Sequence, residues 1–337
     1  MDTITHLALG ACIGEVLATR KIGKKALVIG AVAQNIPDAD FICSLWMEPS
    51  ANVLAHRGFT HSFLFAVLLV PLLAWLAHRW WGKGTFKFWA LFFGVQLLVH
   101  IGIDTFNAYG TGWFEPFSHA RISFNTLFVA DPLFSVPLGL AVITLFVVHT
   151  DHRKRLYWAI GALVISTCYL GYSLINKVQI DSSVKASLDQ QGIHHYQYLT
   201  TPTPFNTWLW FIVATNESGN FVAHRSVWDD EEKIEFTFFP RQDSLLALAR
   251  DAQEVSRLKR FSQGYYTVVM EGDTLLFNDL RFGQMIGWEN PKAGFVFHYY
   301  LDPPLDNKLV LQRGRFQGWD GATAKSFLKR ATGRPLR

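Results

Sequence analysis

Residue types that bind divalent metals recur at matching ends of the apolar segments in the first half of this chain. His6 opens the first segment, and Asp38 and Asp40 close the second. His56 and His61 precede the third, and His100 and Asp104 close the fourth. His100 and Asp104 have the i, i+4 spacing that puts an imidazole and a carboxylate on one helix face, one turn apart, where together they can grip an ion. An aspartate at the end of an otherwise uncharged span is costly unless paired or solvated, which makes it a functional candidate. The bland alternative is a helix end reaching water.

Pro37-Asp38-Ala39-Asp40 sets two carboxylates on one side of an extended chain, and such oxygens suit hard or borderline cations. An acidic turn after a helix is its ordinary counterpart. His56-Arg57-Gly58-Phe59-Thr60-His61-Ser62 adds two imidazoles and a guanidinium. His61 reads as a metal ligand, and His56 as a ligand or a proton donor. Arg57 is able to hold an anionic substrate through a bidentate contact, or else to snorkel to headgroups. Thr60 or Ser62 caps the helix that follows. His119 is a reserve ligand. His78, His149 and His152 fall with the basic turns, and His194, His195, His224 and His298 are scattered through the tail.

The elements that must position these groups follow from composition. Of 337 residues, half are hydrophobic, with 12 Trp and 28 Phe, but the two halves differ. Before Asn176 the chain is apolar runs joined by short charged turns, with 12 Lys+Arg against 9 Asp+Glu. After it come 19 against 18, spread as in a soluble domain without the basic clustering that nucleic acid requires. Cys12, Cys43 and Cys168 show no paired spacing and read as small buried residues. The N-terminus lacks a basic n-region, so the first helix is expected to be retained.

Four segments read as membrane spans: 62–77, 88–103, 127–148 and 157–175. Two short helices rich in Gly and Ala, 6–18 and 26–36, precede them and pack closely on the others. Trp80, Trp81 and Trp89 flank a basic turn as interfacial aromatics do. The basic turns Arg20-Lys21…Lys24-Lys25, Arg79…Lys83…Lys87 and Arg153-Lys154-Arg155 fall on one side, the cytoplasmic one by the positive-inside rule. The metal site and the tail then lie on the non-cytoplasmic side of a cell (inner) membrane. Residues 1–175 form a helical, membrane-embedded domain, and 176–337 a soluble α+β domain. The tail shows strand patterns at 207–214, 235–239, 265–270, 274–277 and 295–300, and a helix at 244–261.

With Thr5-His6, Pro37-Asp38-Ala39-Asp40, HRGFTHS at 56–62 and His100-Ile101-Gly102-Ile103-Asp104, the chain resembles the YdjM-type family of membrane-bound, metal-dependent hydrolases over about its first 175 residues. Tyr109-Gly110-Thr111, Pro116-Phe117-Ser118 and Ala130-Asp131-Pro132-Leu133 extend the likeness. That family is distantly similar to the zinc-dependent phospholipase C and P1 nuclease enzymes, which implies their helical fold for the first domain. The resemblance implies Asp40, His61, His100 and Asp104 as metal ligands. It gives His6, Asp38 and His56 supporting or second-metal roles. No later His-x-x-x-Glu completes a three-metal site, so one or two divalent ions are expected, zinc first.

The resulting reading is a membrane-bound hydrolase that uses metal-activated water on a lipid or other phosphoester. His6, Asp40, His61, His100 and Asp104 hold the metal, Asp38 or His56 manages protons, and Arg57 steadies an anionic substrate. Membrane lipid is one expected partner, and the tail is open to a protein partner. The alternative is a non-enzymatic scaffold with a structural metal and a partner-binding tail. An ion transporter ranks last, because transport sites usually lie near the bilayer midplane.

Overall fold

A computed structural model describes residues 1–147, 154–230, 233–301, 316 and 319–334. Val148, His149, His152 and Arg153, which enter the readings above, lie outside the described residues. The chain divides into two compact units: Met1–Trp46 with Ala55–Ser173, and Met47–Leu54 with Leu174–Arg337.

In the first unit, helix α1 (Thr3–Ile22) starts where the Asp2 carboxylate accepts the Thr5 N–H at 3.0 Å. Helix α2 (Lys25–Gln34) is followed, after a 57° bend, by a 3-10 helix (Pro37–Leu45). Pro37 suits that start, since it brings a preset φ and no N–H to satisfy. A short 3-10 turn (Phe59–His61) leads into α4 (Phe63–Trp81), where Ser62 rather than Thr60 is the cap, accepting the Phe65 N–H at 3.0 Å. Helices α5 (Phe86–Asp104), α6 (Pro132–Val147) and α7 (Lys154–Gln190) complete the unit, α7 continuing into the second one.

Among the described residues, three helices are long and apolar enough to cross a membrane: α4, α5 and α7. The bent pair of α2 and the 3-10 helix makes a fourth if it is one span. The four spans expected from sequence included residues 127–148; among the described residues that stretch holds α6, with 16 residues. It starts late because the Asp131 carboxylate accepts the Leu133 N–H at 3.0 Å at its mouth. The outward faces of these helices are apolar, as at Val67, Leu68 and Trp75 on α4 and Ile165 and Ile175 on α7. A row of exposed apolar side chains on a helix bundle is what lipid covers.

Contrary to the short segment expected, α1 is 20 residues long and runs through the core. Its Ala8, Leu9, Cys12 and Ile13 pack with Phe134, Leu138 and Leu145 of α6 and with Ala159 and Ala162 of α7. Glycines let α2 approach it: a Cβ on Gly14 would stand 2.2 Å from the Ala26 carbonyl oxygen, and one on Gly10 2.4 Å from that of Gly30. Trp89 is fully buried, its indole donating to the Lys83 carbonyl at 2.9 Å, so it is a core residue rather than an interfacial one. Arg155 also departs from expectation. It is buried, and its guanidinium grips Glu15 through Nε at 2.9 Å and Nη2 at 2.5 Å. Of the cysteines only Cys12 is buried, while Cys168 is exposed.

The second unit contains short helix α3 (Pro49–Ala55, of which 49–54 lie in this unit), the C-terminal part of α7 and two antiparallel sheets. The first sheet runs β1 (Gln197–Pro202), β2 (Leu209–Thr215), β3 (Gly219–Ser226), β4 (Thr237–Pro240). The second runs β5 (Tyr266–Glu271), β6 (Thr274–Gln284), β7 (Phe295–Tyr300). Strand β2 is apolar at every position but its last because both faces are covered. Trp210, Ile212 and Ala214 pack on Ile180, Val184 and Leu188 of α7. Phe211 and Val213 meet Tyr265, Leu280 and Phe295. The helix expected at 244–261 is a 3-10 turn (Asp243–Leu248) followed by α8 (Ala252–Ser262), because Asp251 caps α8 by accepting the Gln253 N–H. Strands β1 and β3, and helix α9 (Gly321–Ala331), are additions to the sequence reading.

Candidate metal centre

Four segments of the first unit converge at the site: the 3-10 helix after α2, the turn before α4, the last turn of α5 and the first turn of α1. Asp38, His61, His100 and Asp104 each present one donor atom, and these atoms all lie within 4.8 Å of one another. His61 Nε2 and His100 Nε2 face each other at 3.0 Å. His61 Nε2 is 3.5 Å from Asp38 Oδ1 and 3.3 Å from Asp104 Oδ2. His100 Nε2 is 3.6 Å from Asp38 Oδ1 and 3.7 Å from Asp104 Oδ2.

These separations fit a small divalent ion. A tetrahedron with metal–ligand bonds of about 2.0–2.1 Å has edges of about 3.3–3.4 Å. The donors also suit a cation chemically. His61, His100 and Asp104 are fully buried. Asp104 has the Met1 amino group and Arg57 as positive neighbours, yet its Oδ2 makes no hydrogen bond and so keeps a lone pair for an ion. Burial, with the neighbouring His100 adding to it, pushes the His61 imidazole down to about 3. At neutral pH His61 is therefore uncharged and able to offer a lone pair.

Asp40, assigned to the metal by resemblance, sits elsewhere. Its Oδ1 meets His56 Nδ1 at 2.9 Å, while Oδ2 accepts the Arg57 N–H at 2.7 Å and the Thr60 hydroxyl at 3.1 Å. Thr60 Oγ1 in turn is 3.0 Å from His61 Nδ1. Asp40 thus organises the loop that delivers His61, whereas Asp38, given a supporting role from sequence, supplies an oxygen to the cluster beside that of Asp104.

Arg57 adopts a left-handed conformation, φ 56°, which is uncommon for a residue with a side chain. That turn lets its N–H serve Asp40 while its guanidinium points inward. Nη1 donates to Asn107 Oδ1 at 2.8 Å, Nη2 donates to the Met1 carbonyl at 3.0 Å, and Nε lies 3.2 Å from Asp104 Oδ2. Tyr109 lies beneath the guanidinium, 5.3 Å from it. Arg57 therefore braces Asp104 instead of standing open to an anion.

His6 is buried, with Nε2 3.1 Å from Asp104 Oδ1 and its ring stacked on His100 at 3.9 Å between centroids. The Met1 amino group also donates to Asp104 Oδ1. His56 is the accessible imidazole: its side chain is 29 % exposed, and its ring lies 6.4 Å from that of His61. His119 is not in the group; it is exposed and pairs with Glu115 at 2.8 Å.

Sequence reasoning missed Asn107 and Tyr109 as braces of Arg57, and Gln34 and Gln96, two fully buried amides beside the cluster. Asn107 sits in a loop with no periodicity to mark it. The glutamines did carry a signal: each precedes a site residue by four, Gln34 before Asp38 and Gln96 before His100.

A family model described as YdjM inner membrane protein matches residues 1–180. The inner membrane protein YbcI of Escherichia coli (strain K12) is 38 % identical over 120 residues, which are 35 % of this chain and 69 % of that protein. The uncharacterized protein YfhP of Bacillus subtilis (strain 168) is 29 % identical over 149 residues, 39 % of this chain and 42 % of that one. No solved structure matches the chain.

Proposed function

The chain belongs to the YdjM inner membrane protein family, and from that premise we propose that it is a metal-dependent hydrolase acting on a phosphoester, a lipid or lipid-linked one, at the membrane face. The observation that carries the reading is the convergence of four donor atoms from three segments, with neighbouring donor atoms 3.0–3.7 Å apart, at the end of the apolar helix α5.

Asp38, His61, His100 and Asp104 hold the ion, zinc by its preference for mixed nitrogen and oxygen donors. When bound, such an ion lowers the pKa of water and polarises a scissile phosphoryl group. The remaining groups position and move protons. A carboxylate on His56 Nδ1 favours the tautomer that leaves Nε2 able to take a proton, and the ring is reachable from solvent. Arg57 holds Asp104 in place, and Asp40 holds both His56 and the Thr60–His61 corner.

We place the site and the C-terminal unit on the non-cytoplasmic side. Arg20, Lys21, Lys24 and Lys25 at the α1–α2 turn, and Arg79, Lys83 and Lys87 at the α4–α5 turn, lie at the opposite ends of these helices from the site residues. A substrate at headgroup depth need not leave the bilayer.

A second reading has an observation of its own. Four protein donors saturate a tetrahedral ion, and three of them are fully buried, as in a structural site of a membrane scaffold. Asp38, with 16 % of its side chain exposed, is where a catalytic site would open.

One experiment separates the readings. Detergent-purified chain is expected to hold at least one zinc per molecule and to cleave a phosphodiester, with both properties lost in Asp104→Ala. Metal without hydrolysis, together with unfolding of the helices on chelation, favours the scaffold. A wild type without metal defeats both.

A further inference from the structure

One helical turn from the candidate ligands lies a second polar layer, made of uncharged groups. Gln96 Nε2 donates to the Gly10 carbonyl at 3.0 Å. With the Gln34 amide set by the donors and acceptors around it, its nitrogen donates to Gln96 O at 2.7 Å and to Gln96 Oε1 at 2.6 Å. Its oxygen accepts the His100 N–H at 3.2 Å. In a regular α-helix the His100 N–H would go to the Gln96 carbonyl alone. The Gln34 side chain therefore bridges that rung of α5, at the residue that carries a candidate ligand.

Three helices meet in this layer, and the same spacing recurs in each. Gly10 follows His6 by four residues, Gln34 precedes Asp38 by four, and Gln96 precedes His100 by four. Both glutamines are fully buried. A buried amide costs a few kcal/mol unless its hydrogen bonds are made, so the layer tolerates little slippage between helices. The close approach that permits it needs glycine: a Cβ on Gly30 would lie 2.2 Å from the Gly10 carbonyl oxygen and 2.9 Å from Gln96 Nε2.

We infer that Gln34 and Gln96 are positioning residues for the metal centre, clamping α1, α2 and α5 in register so that His100 presents its ring at the ligand position. This rests on the metal-site reading above. Had the amides only held the helices together, replacing both with apolar groups would leave metal affinity alone. Removing both partners of a buried pair also avoids stranding either one, which keeps the fold testable.

The full chain in detergent, stripped of metal, is titrated with Co²⁺. Visible absorption and chelator competition report binding, and circular dichroism reports melting of the metal-free protein. Gln34→Leu/Gln96→Leu is expected to melt within a few degrees of wild type, yet to bind Co²⁺ at least tenfold more weakly with an altered visible band. Unchanged affinity and spectrum in a folded double variant overturn the clamp while leaving the metal site standing. If the double variant does not fold, Gln34→Asn, which keeps an amide one methylene too short, carries the same expected tenfold loss, and an unchanged affinity there overturns the clamp. A wild type that binds no Co²⁺ overturns the clamp and the metal reading together.

Discussion

At the scale of single residues, the two aspartates of Pro37-Asp38-Ala39-Asp40 divide the work. Asp38 faces His61 and His100, while Asp40 ties His56, Arg57 and Thr60 into one corner. Asp38→Ala removes a donor from the cluster and is expected to abolish stoichiometric metal. Asp40→Ala leaves all four donors present and is expected to weaken affinity by about 10–100-fold, the usual cost of losing a group that orients a ligand. Elemental analysis and chelator competition on the purified variants check this, and equal losses would refute the division. Away from the site, His224 in β3 packs edge-on against Phe211 at 5.2 Å. Burial, helped by Arg330, pushes its imidazole down to about 3. The unfolded chain, with an ordinary imidazole near 6.5, then binds the proton more readily. The stability His224 contributes is whole above about pH 6.5 and lost as pH falls toward about 3. In melting curves taken from pH 7 to pH 4, His224→Gln should lose less stability on acidification than wild type.

At the scale of elements, burial patterns explain where the sequence reading held and where it slipped. The start of α4 and the end of α5 were legible to within one residue, because uncharged runs mark them locally, whereas α4 continues four residues past the expected end. Helix α1 was not, since its Gly-rich and Ala-rich apolar stretch, 6–18, is shorter than the helix. In the structure Glu15 is neutralised by Arg155 on α7, and the glycines are what let α2 lie against it. A basic residue counted toward topology thus turns out to be half of a buried ion pair. Arg155→Ala strands the Glu15 carboxylate and is expected to cost about 3–5 kcal/mol. Glu15→Gln/Arg155→Met removes both charges and should recover most of that loss. Thermal or denaturant unfolding in detergent of wild type and both variants measures it, and additive losses in the double variant would refute the coupling.

At the scale of the whole molecule, α7 runs unbroken through the place where the composition changes. Near Asn176 hydropathy falls while helical structure continues to Gln190, because Ile180, Val184 and Leu188 still have an apolar partner, the first sheet. For the orientation proposed above, alkaline phosphatase fused after Arg334 should be active in a bacterial host, since that enzyme works only outside the cytoplasm. A fusion within 82–84, in the α4–α5 turn, should be inactive. The opposite pair of results would invert the proposed topology.

The sequence by itself determined the membrane character of the first half, the α+β character of the second with five of its strands, and the family resemblance through HRGFTHS and the His-Asp pair. These are local properties: hydropathy, alternation and short spacings leave their mark on a linear chain. Only the tertiary structure decided which aspartate meets the two histidines, that Arg57 turns inward, and that two glutamines sit one turn below. Asp38 and Asp40 are equivalent to any one-dimensional reading. They become different when the bend after α2 aims one at the Nε2 atoms of His61 and His100 and the other at His56, Arg57 and Thr60. Such a choice depends on packing between segments far apart in the chain, and no spacing within either segment records it.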